Sequence, residues 1–435
     1  MDVITLTKQA LIFKTLLGII SVSYFTVQPW NHQTADALWV SLSLISLVYV
    51  CVKKAQNYNF EIPAQLKTVF WLFTLMPLVS IISYLATPLD TLTLDLLEAD
   101  TRWLLVIPII ITLRDKGIGP YWILAMLGAY AISIFISSTI ETEYFSNLKM
   151  RARGDENAVS YGLFNATVSL MLLSYFVSRF INNPAKHKYT KTLRLSIFIL
   201  FILACTATFL SGSRAAIVSI PIGVFVIYSM NYSKIKATLG IVLLISIGLI
   251  ITTALPNSAF VRKLTTTPDR VSSYFMVHDQ TSRSHNQRLE QWAESWCIFK
   301  IHPITGTGPR TFKHAHQVYG DTNHCDSLQQ LKQGSYQAHS LYFNTIATLG
   351  TLGIITLILF FGYLLNLSMT LHKNKECHQY VRLGTSLLII ALVSHLINGI
   401  TLDLIFRNHI IDKFLIVIAL PIILIFQKRL QIKDA

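Results

Sequence analysis

The sequence predicts an all-α integral membrane protein, and three observations carry that prediction. Only 13% of its 435 residues are charged while 52% are hydrophobic, with a mean hydropathy of +0.51. A soluble domain carries about 25% charged residues, so this chain lacks the charge to solvate a globular surface. Twelve apolar runs are long enough, or nearly so, to cross a hydrocarbon core as helices, which satisfy their own backbone groups there. The lysines and arginines behind the net charge of +14 are parcelled into short loops between those runs. That is how membrane orientation is written, and it argues against a nucleic-acid-binding surface.

In chain order the runs fall at 10–29, 36–53, 66–86, 100–113, 120–139, 159–180, 193–211, 214–230, 237–255, 340–367, 383–400 and 411–427. The first lacks a small-residue cleavage pattern and runs on into further spans, so it reads as a span and not as a signal peptide. Alternate loops are basic: Lys53, Lys54 and Lys67; Arg114 and Lys116; Lys186, Lys188, Lys191 and Arg194; Lys234 and Lys236; Lys373, Lys375 and Arg382; and the tail with Lys428, Arg429 and Lys433. The positive-inside rule assigns these loops and both termini to the cytoplasm. Three regions follow: spans one to nine over 1–255, a polar insertion over 256–339, and spans ten to twelve with a cytoplasmic tail over 340–435.

The outer face then owns four features. They are the 140–158 loop with Lys149, Arg151 and Arg153, the turn Ser211-Gly212-Ser213-Arg214, the large insertion, and the 401–413 loop with Asp403 and Arg407. Cations on this face run against the orientation rule, which marks them as candidates for function. Within the insertion, Leu289, Trp292, Trp296 and Phe299 recur at helical spacing, so 287–300 reads as an amphipathic helix whose tryptophans suit a membrane interface. Pro303 ends it, and Gly306-Thr307-Gly308-Pro309 reads as a turn. Cys297 and Cys325 lie in the insertion, where a disulfide is possible if that face is oxidising; Cys51, Cys205 and Cys377 sit in or beside apolar runs.

Three side chains point to chemistry. Arg214 stands between two apolar runs with small residues around it. It is either a snorkelling interfacial arginine or a phosphate-binding one at a helix start, where backbone N–H groups and guanidinium address the same anion. Arg288 opens the amphipathic helix and is either a solvated charge or a second anion-binding arginine. Neither can act as a base. His339 sits where polar loop becomes apolar span, and imidazole is the side chain most readily poised as a base near neutral pH. Gly350 and Gly353 further along the same span read as close helix-packing positions. Asp403 either pairs with Arg407 or orients a catalytic group. His302, His314, His316, His324 and Cys325 match no standard zinc spacing. The sequence holds no P-loop, dinucleotide fingerprint, nucleophile elbow or HExxH.

At these residues the sequence resembles the O-antigen ligase family and its superfamily, which also holds O-antigen polymerases and protein O-oligosaccharyltransferases. The resemblance rests on Arg214 in a Ser-Arg turn, on Arg288-Leu289 opening the helix of a large loop, and on His339-Ser340 followed, after nine intervening residues, by Gly350-x-x-Gly353. The 151–163 segment resembles the superfamily's outer segment ahead of a span. The resemblance implies a GT-C-like fold of about twelve spans, with a large, partly helical periplasmic loop between spans nine and ten. It implies transfer of an O-antigen glycan from undecaprenyl diphosphate to a sugar hydroxyl of lipid A–core at the periplasmic face of a bacterial inner membrane, with inversion and without a metal or other cofactor. In that reading Arg214 and Arg288 stabilise the departing diphosphate, His339 takes the acceptor's proton, and Arg151, Arg153, Asp403 and Arg407 support binding.

Two further readings stay open: a polymerase or protein oligosaccharyltransferase of the same superfamily, and a polytopic transporter. Against the transporter, the sequence shows no matched half-repeats and His395 as its one clear polar intrusion within a span. The arginine-based reading predicts that EDTA leaves glycan transfer by the purified protein unchanged; strong inhibition would return a metal to the site.

Overall fold

The computed structural model describes residues 3–86, 95–144, 150–155, 157–178, 190–232, 283–319, 338–374, 376–403 and 408–427. These form the helices α1 (Val3–Val27), α2 (His32–Ala55), α3 (Ala64–Ala86), α4 (Asp95–Asp115), α5 (Pro120–Glu141), α6 (Ala158–Val177), α7 (Thr190–Leu210), α8 (Arg214–Asn231), α9 (Arg283–Ile301), α10 (Phe312–Tyr319), α11 (Leu341–Lys373), α12 (Gln379–Asn398) and α13 (Asn408–Ile425). Among the described residues, nine helices are long and apolar enough to cross a membrane. Eleven of the twelve expected spans coincide with a described helix, and the ninth, 237–255, lies outside the described residues.

Helix α6 is the centre of the bundle. It packs against α5, α7, α8 and α12, and nearly every one of its residues is buried. Its composition permits this. Gly162, Ala166 and Ser169 let neighbours approach, and its polar side chains find partners inside: Asn165 accepts from the Tyr130 hydroxyl at 2.8 Å, and Thr167 bonds Ser394 of α12 at 2.7 Å. Such bonds satisfy groups that have no water available in a bilayer interior. Helix α13 is equally enclosed, by α12, α4 and α2.

The two ends of the bundle differ. At one end Arg114 is buried and donates to the carbonyls of Phe60, Glu61 and Phe426, while Tyr49 and Tyr58 donate to Asp115 at 2.5 and 2.8 Å. Lys53, Lys54, Lys67, Lys116, Lys373 and Arg382 lie at helix ends on this side. At the other end the turns after α1, α5, α7 and α12 meet. Asp155 N–H donates to the Pro29 carbonyl, Ala152 N–H to Leu210, and Leu341 N–H to Gly399. The basic loops and the candidate site residues therefore occupy opposite ends.

One structural feature departs from the sequence reading. Helix α11 is broken at Gly350, which has φ +59° and ψ −153°. The turn between α9 and α10 docks into the break. Thr307 and Gly308 N–H groups donate to the Ala347 and Thr348 carbonyls of the first half, at 3.1 and 2.9 Å. Thr351 and Leu352 N–H groups of the second half donate to the Pro303 and Ile304 carbonyls, at 2.9 and 3.2 Å. Ser83 of α3 donates to both Thr305 and Thr348 carbonyls, which ties the junction to the bundle. Gly350 is thus a chain-break glycine and not the helix-packing position that its spacing with Gly353 implied. A β-carbon on Gly350 would lie 2.5 Å from the Ile304 carbonyl oxygen and 2.7 Å from the Gly306 nitrogen, both backbone atoms that cannot swing aside.

Gly350→Ala combines that clash with a backbone conformation open essentially only to glycine, which disfavours a side chain by roughly 1–3 kcal/mol. It is expected to lower the thermal midpoint of the purified protein by several degrees. Gly362→Ala, with open space around the same atom, is expected to leave the midpoint level or raise it, since alanine is the better helix former. Equal midpoints for the two variants would show that the docked turn contributes nothing to stability.

Candidate functional site

Arg214 is the first residue of α8, and the turn before it is held from three sides. Gly212 takes φ +59°, which lets the chain reverse between α7 and α8. Gly162 of α6 leaves room for this turn: a β-carbon there would come within 2.3 Å of Ser211 Oγ and 2.8 Å of Ser213 Cβ. Arg151 closes the third side, donating from Nε to the Ser211 carbonyl at 2.8 Å and from Nη2 to the Gly212 carbonyl at 3.4 Å. A cation on the carbonyls just past the end of α7 suits the negative end of that helix dipole. Burial, and secondarily the charge of Arg214, lowers the affinity of the Arg151 guanidinium for its proton. Two arginines close enough to oppose one another make a cationic pole. Ser213, at the N-cap of α8, makes no capping bond to the first turn, and its buried Oγ has no partner. The N–H groups of that turn point where an anion would be stabilised.

The segment that carries Arg151 is itself fixed. Both carboxylate oxygens of Glu141 accept backbone N–H groups, from Arg153 and Gly154, each at 2.8 Å. Asp155 bonds the backbone N–H of His32 at 2.9 Å and its Nδ1 at 2.5 Å. The backbone N–H bond, more than the pull of the ring, holds the Asp155 carboxyl below the usual range. Arg153 is exposed, and no described residue pairs with its guanidinium. A cavity of about 940 Å³ opens beside this segment, walled in part by Trp30, Glu141, Met150, Arg151, Arg153 and Asp155.

His339 belongs to a second group. It has φ +49°, a left-handed conformation uncommon outside glycine. Such backbone persists where the surroundings enforce it, and it clusters at functional sites. The enforcement is visible on both flanks. Ala338 offers its carbonyl to Trp292 Nε1 at 3.2 Å, and Leu341 N–H donates to Gly399 at 2.8 Å and Leu402 at 3.1 Å. Trp292 also stacks on Phe343, with ring centroids 4.9 Å apart. Arg288 lies one turn before Trp292 on α9, and Trp292 bonds Ala338, the residue before His339. Arg288 is exposed as a whole residue, while partial burial of its guanidinium lowers its proton affinity without removing its charge. Asp403 accepts from Asn344 Nδ2 at 2.9 Å, one turn into α11. Arg407 lies outside the described residues, as does Lys149.

The two groups share a scaffold. The Arg214 turn rests on α6 at Gly162, α6 bonds α12 through Thr167 and Ser394, and α12 ends at Gly399 against Ser340 and Leu341. Each helix is crossed over about five residues, roughly 7.5 Å of rise. Both groups therefore stand at one end of the bundle.

Three elements escaped the sequence reading. Trp292, expected at a membrane interface, is turned inward against Phe343 and Ala338, while Trp296 keeps the exposed position at 47%. Glu294 is fully buried on α9, and burial pushes its carboxyl up to about 8. Charge is also buried within the bundle near the site end. Arg102 of α4 bonds Asp412 of α13 and stands 3.7 Å from Asp36 of α2, and Lys413 lies over the ring of Phe164 at 5.7 Å. His395 is thus one of several polar intrusions. The signal was present in Asp412-Lys413 at the head of the last apolar run, but pairing across three helices has no trace in local sequence. Cys297 is disulfide-bonded, and Cys325 lies outside the described residues.

Fold and site define a polytopic helical membrane protein with a cationic pole and a strained histidine at one end of its bundle. Residues 199–358 match the family model described as O-antigen ligase. The match spans less than half of the chain, from mid-α7 to mid-α11, and takes in Arg214, Arg288, His339 and Gly350. It supports the O-antigen ligase family for this chain. Members of that family are glycosyltransferase-like enzymes acting on lipid-linked glycans. No curated protein matches the chain.

Glu294 generates a pH prediction. Its folded-state carboxyl binds a proton up to about 8, whereas an unfolded glutamate loses its proton near 4.3. Its favourable contribution is therefore complete below the unfolded value and is lost as pH rises to about 8. Thermal midpoints of native protein and Glu294→Gln, measured from pH 5 to 8, are expected to diverge in favour of the variant as pH rises. Parallel curves would place Glu294 in contact with water or a cation.

Proposed function

We propose that the protein is an O-antigen ligase. It transfers an undecaprenyl-diphosphate-linked glycan to a sugar hydroxyl of lipid A–core, at the periplasmic face of the bacterial inner membrane. The observation that carries the reading is the Arg151-clamped turn, which presents Arg214 and the uncapped start of α8 at the same bundle end as Arg288 and His339. The orientation follows from the basic helix ends at the opposite pole, which the positive-inside rule assigns to the cytoplasm. Arg151, Arg153, Asp403 and Arg407 belong to the same proposal as supporting residues.

The chemistry is a single displacement. The acceptor oxygen attacks the anomeric carbon, and the bond from that carbon to the diphosphate oxygen breaks with its electron pair leaving on the diphosphate. The hydroxyl proton passes to His339. Charge accumulates on the leaving group, so the largest contribution is expected from donors fixed in advance around it, here Arg214, the α8 N-terminus and Arg288. Arg151 serves by holding the turn: two of its donors are spent on the Ser211 and Gly212 carbonyls. Attack from the side opposite the leaving group inverts the anomeric centre. The activated lipid-linked donor supplies the driving force.

The test is a reconstituted assay with lipid-linked glycan and separate lipid A–core, peptide and glycan acceptors. Arg214→Ala, Arg288→Ala and His339→Ala are each expected to reduce transfer to lipid A–core at least 100-fold, the scale of losing a preorganised donor or a general base, with normal insertion. Preference for peptide or growing glycan would move the activity to a protein oligosaccharyltransferase or a polymerase. Full activity of His339→Ala would remove the proposed base.

A further inference from the structure

Behind the site, α6, α12 and α13 enclose a cavity of about 10 Å³, lined by Ser160, Thr167, His395, Asn398 and Lys413 together with apolar side chains including Phe164 and Phe414. That volume accommodates one water-sized body. Ser160 Oγ and Asn398 Oδ1 are buried with no hydrogen-bond partner, although Ser160 is only 5% and Asn398 1% exposed. A buried polar atom without a partner is unfavourable by roughly 1–3 kcal/mol. Two residues with such atoms line one small cavity, which points to an occupant.

We propose that this cavity holds a single water molecule, bound by Lys413, Ser160 and Asn398. The chemistry of the wall selects water over other small occupants. The Lys413 ammonium, itself 4% exposed, offers donors and repels a cation. Asn398 Oδ1 is an acceptor and repels an anion, and the volume is too small for an anion larger than water. His395 Nδ1 lies 2.6 Å from the Ala391 carbonyl, which can only accept, so that ring nitrogen carries a proton. A water can donate twice and accept from the ammonium, which matches this wall. The site lies outside the catalytic group proposed above and does not depend on that reading. The charges of Asp36 and Asp155 also act on Lys413.

The test is a single-particle map of the full chain in lipid nanodiscs, at a resolution that shows ordered water. One isolated peak within hydrogen-bonding distance of Lys413 Nζ and Asn398 Oδ1 is expected. An empty cavity, or Lys413 bonded directly to Asn398 and Ser160 with no room for a peak, would overturn the proposal. A second map of Lys413→Met, which keeps the length and removes the donors, is expected to lose the peak. An unchanged peak there would remove Lys413 from the site. The native map decides the proposal by itself if the variant does not fold.

Discussion

A helix that stops and restarts in a membrane protein leaves backbone donors and acceptors that no solvent satisfies, and the rest of the site depends on how α11 resolves this. The break at Gly350 is closed by a turn from outside the helix: Pro303 and Ile304 supply carbonyls, and Thr307 and Gly308 supply N–H groups. Within a bilayer irregular backbone is tolerated only when protein covers it, and here the cover is the α9–α10 connection, tied to α3 by Ser83. This anchors the foot of α9. The head of α9 then lies along the first half of α11, with Trp292 on Phe343 and Ala338. Arg288 lies one turn before Trp292 on that helix.

The second half of the site is fixed by a different means. The Arg214 turn is set by close backbone approach at Gly162, by the left-handed Gly212 and by Arg151 on two carbonyls. Spending one arginine to orient another makes sense where the ligand carries several negative charges. The uncapped N-terminus of α8 adds neutral donors to the same place. Buried ion pairs among Asp36, Arg102 and Asp412 lock α2, α4 and α13 just behind. Breaking one such pair would leave an uncompensated charge in the interior, which is strongly unfavourable.

Much of this was legible in the sequence, for identifiable reasons. Span positions follow from hydropathy, because the bilayer imposes a length and an apolar composition that few other environments demand. Arg214 at a helix start was readable because charge interrupts two apolar runs at one point. His339 was readable because it marks a polar-to-apolar boundary. The break at Gly350 was not, since a glycine pair three apart serves both close helix packing and chain reversal, and only the partner turn decides between them. Trp292 was assigned to an interface because spacing gives a face but not what covers it. The pairing of Arg102 with Asp412 joins residues 310 positions apart, a distance at which local pattern carries no information.

The central claim is that Arg214 and Arg288, from opposite sides of the ninth expected span in sequence, address one lipid diphosphate at the bundle end opposite the basic loops. The most direct measurement is a map of the protein in nanodiscs with undecaprenyl diphosphate bound. The account predicts diphosphate density in contact with both guanidinium groups and with the first-turn N–H groups of α8, within reach of His339. Density at the basic-loop end, or touching neither arginine, would contradict it.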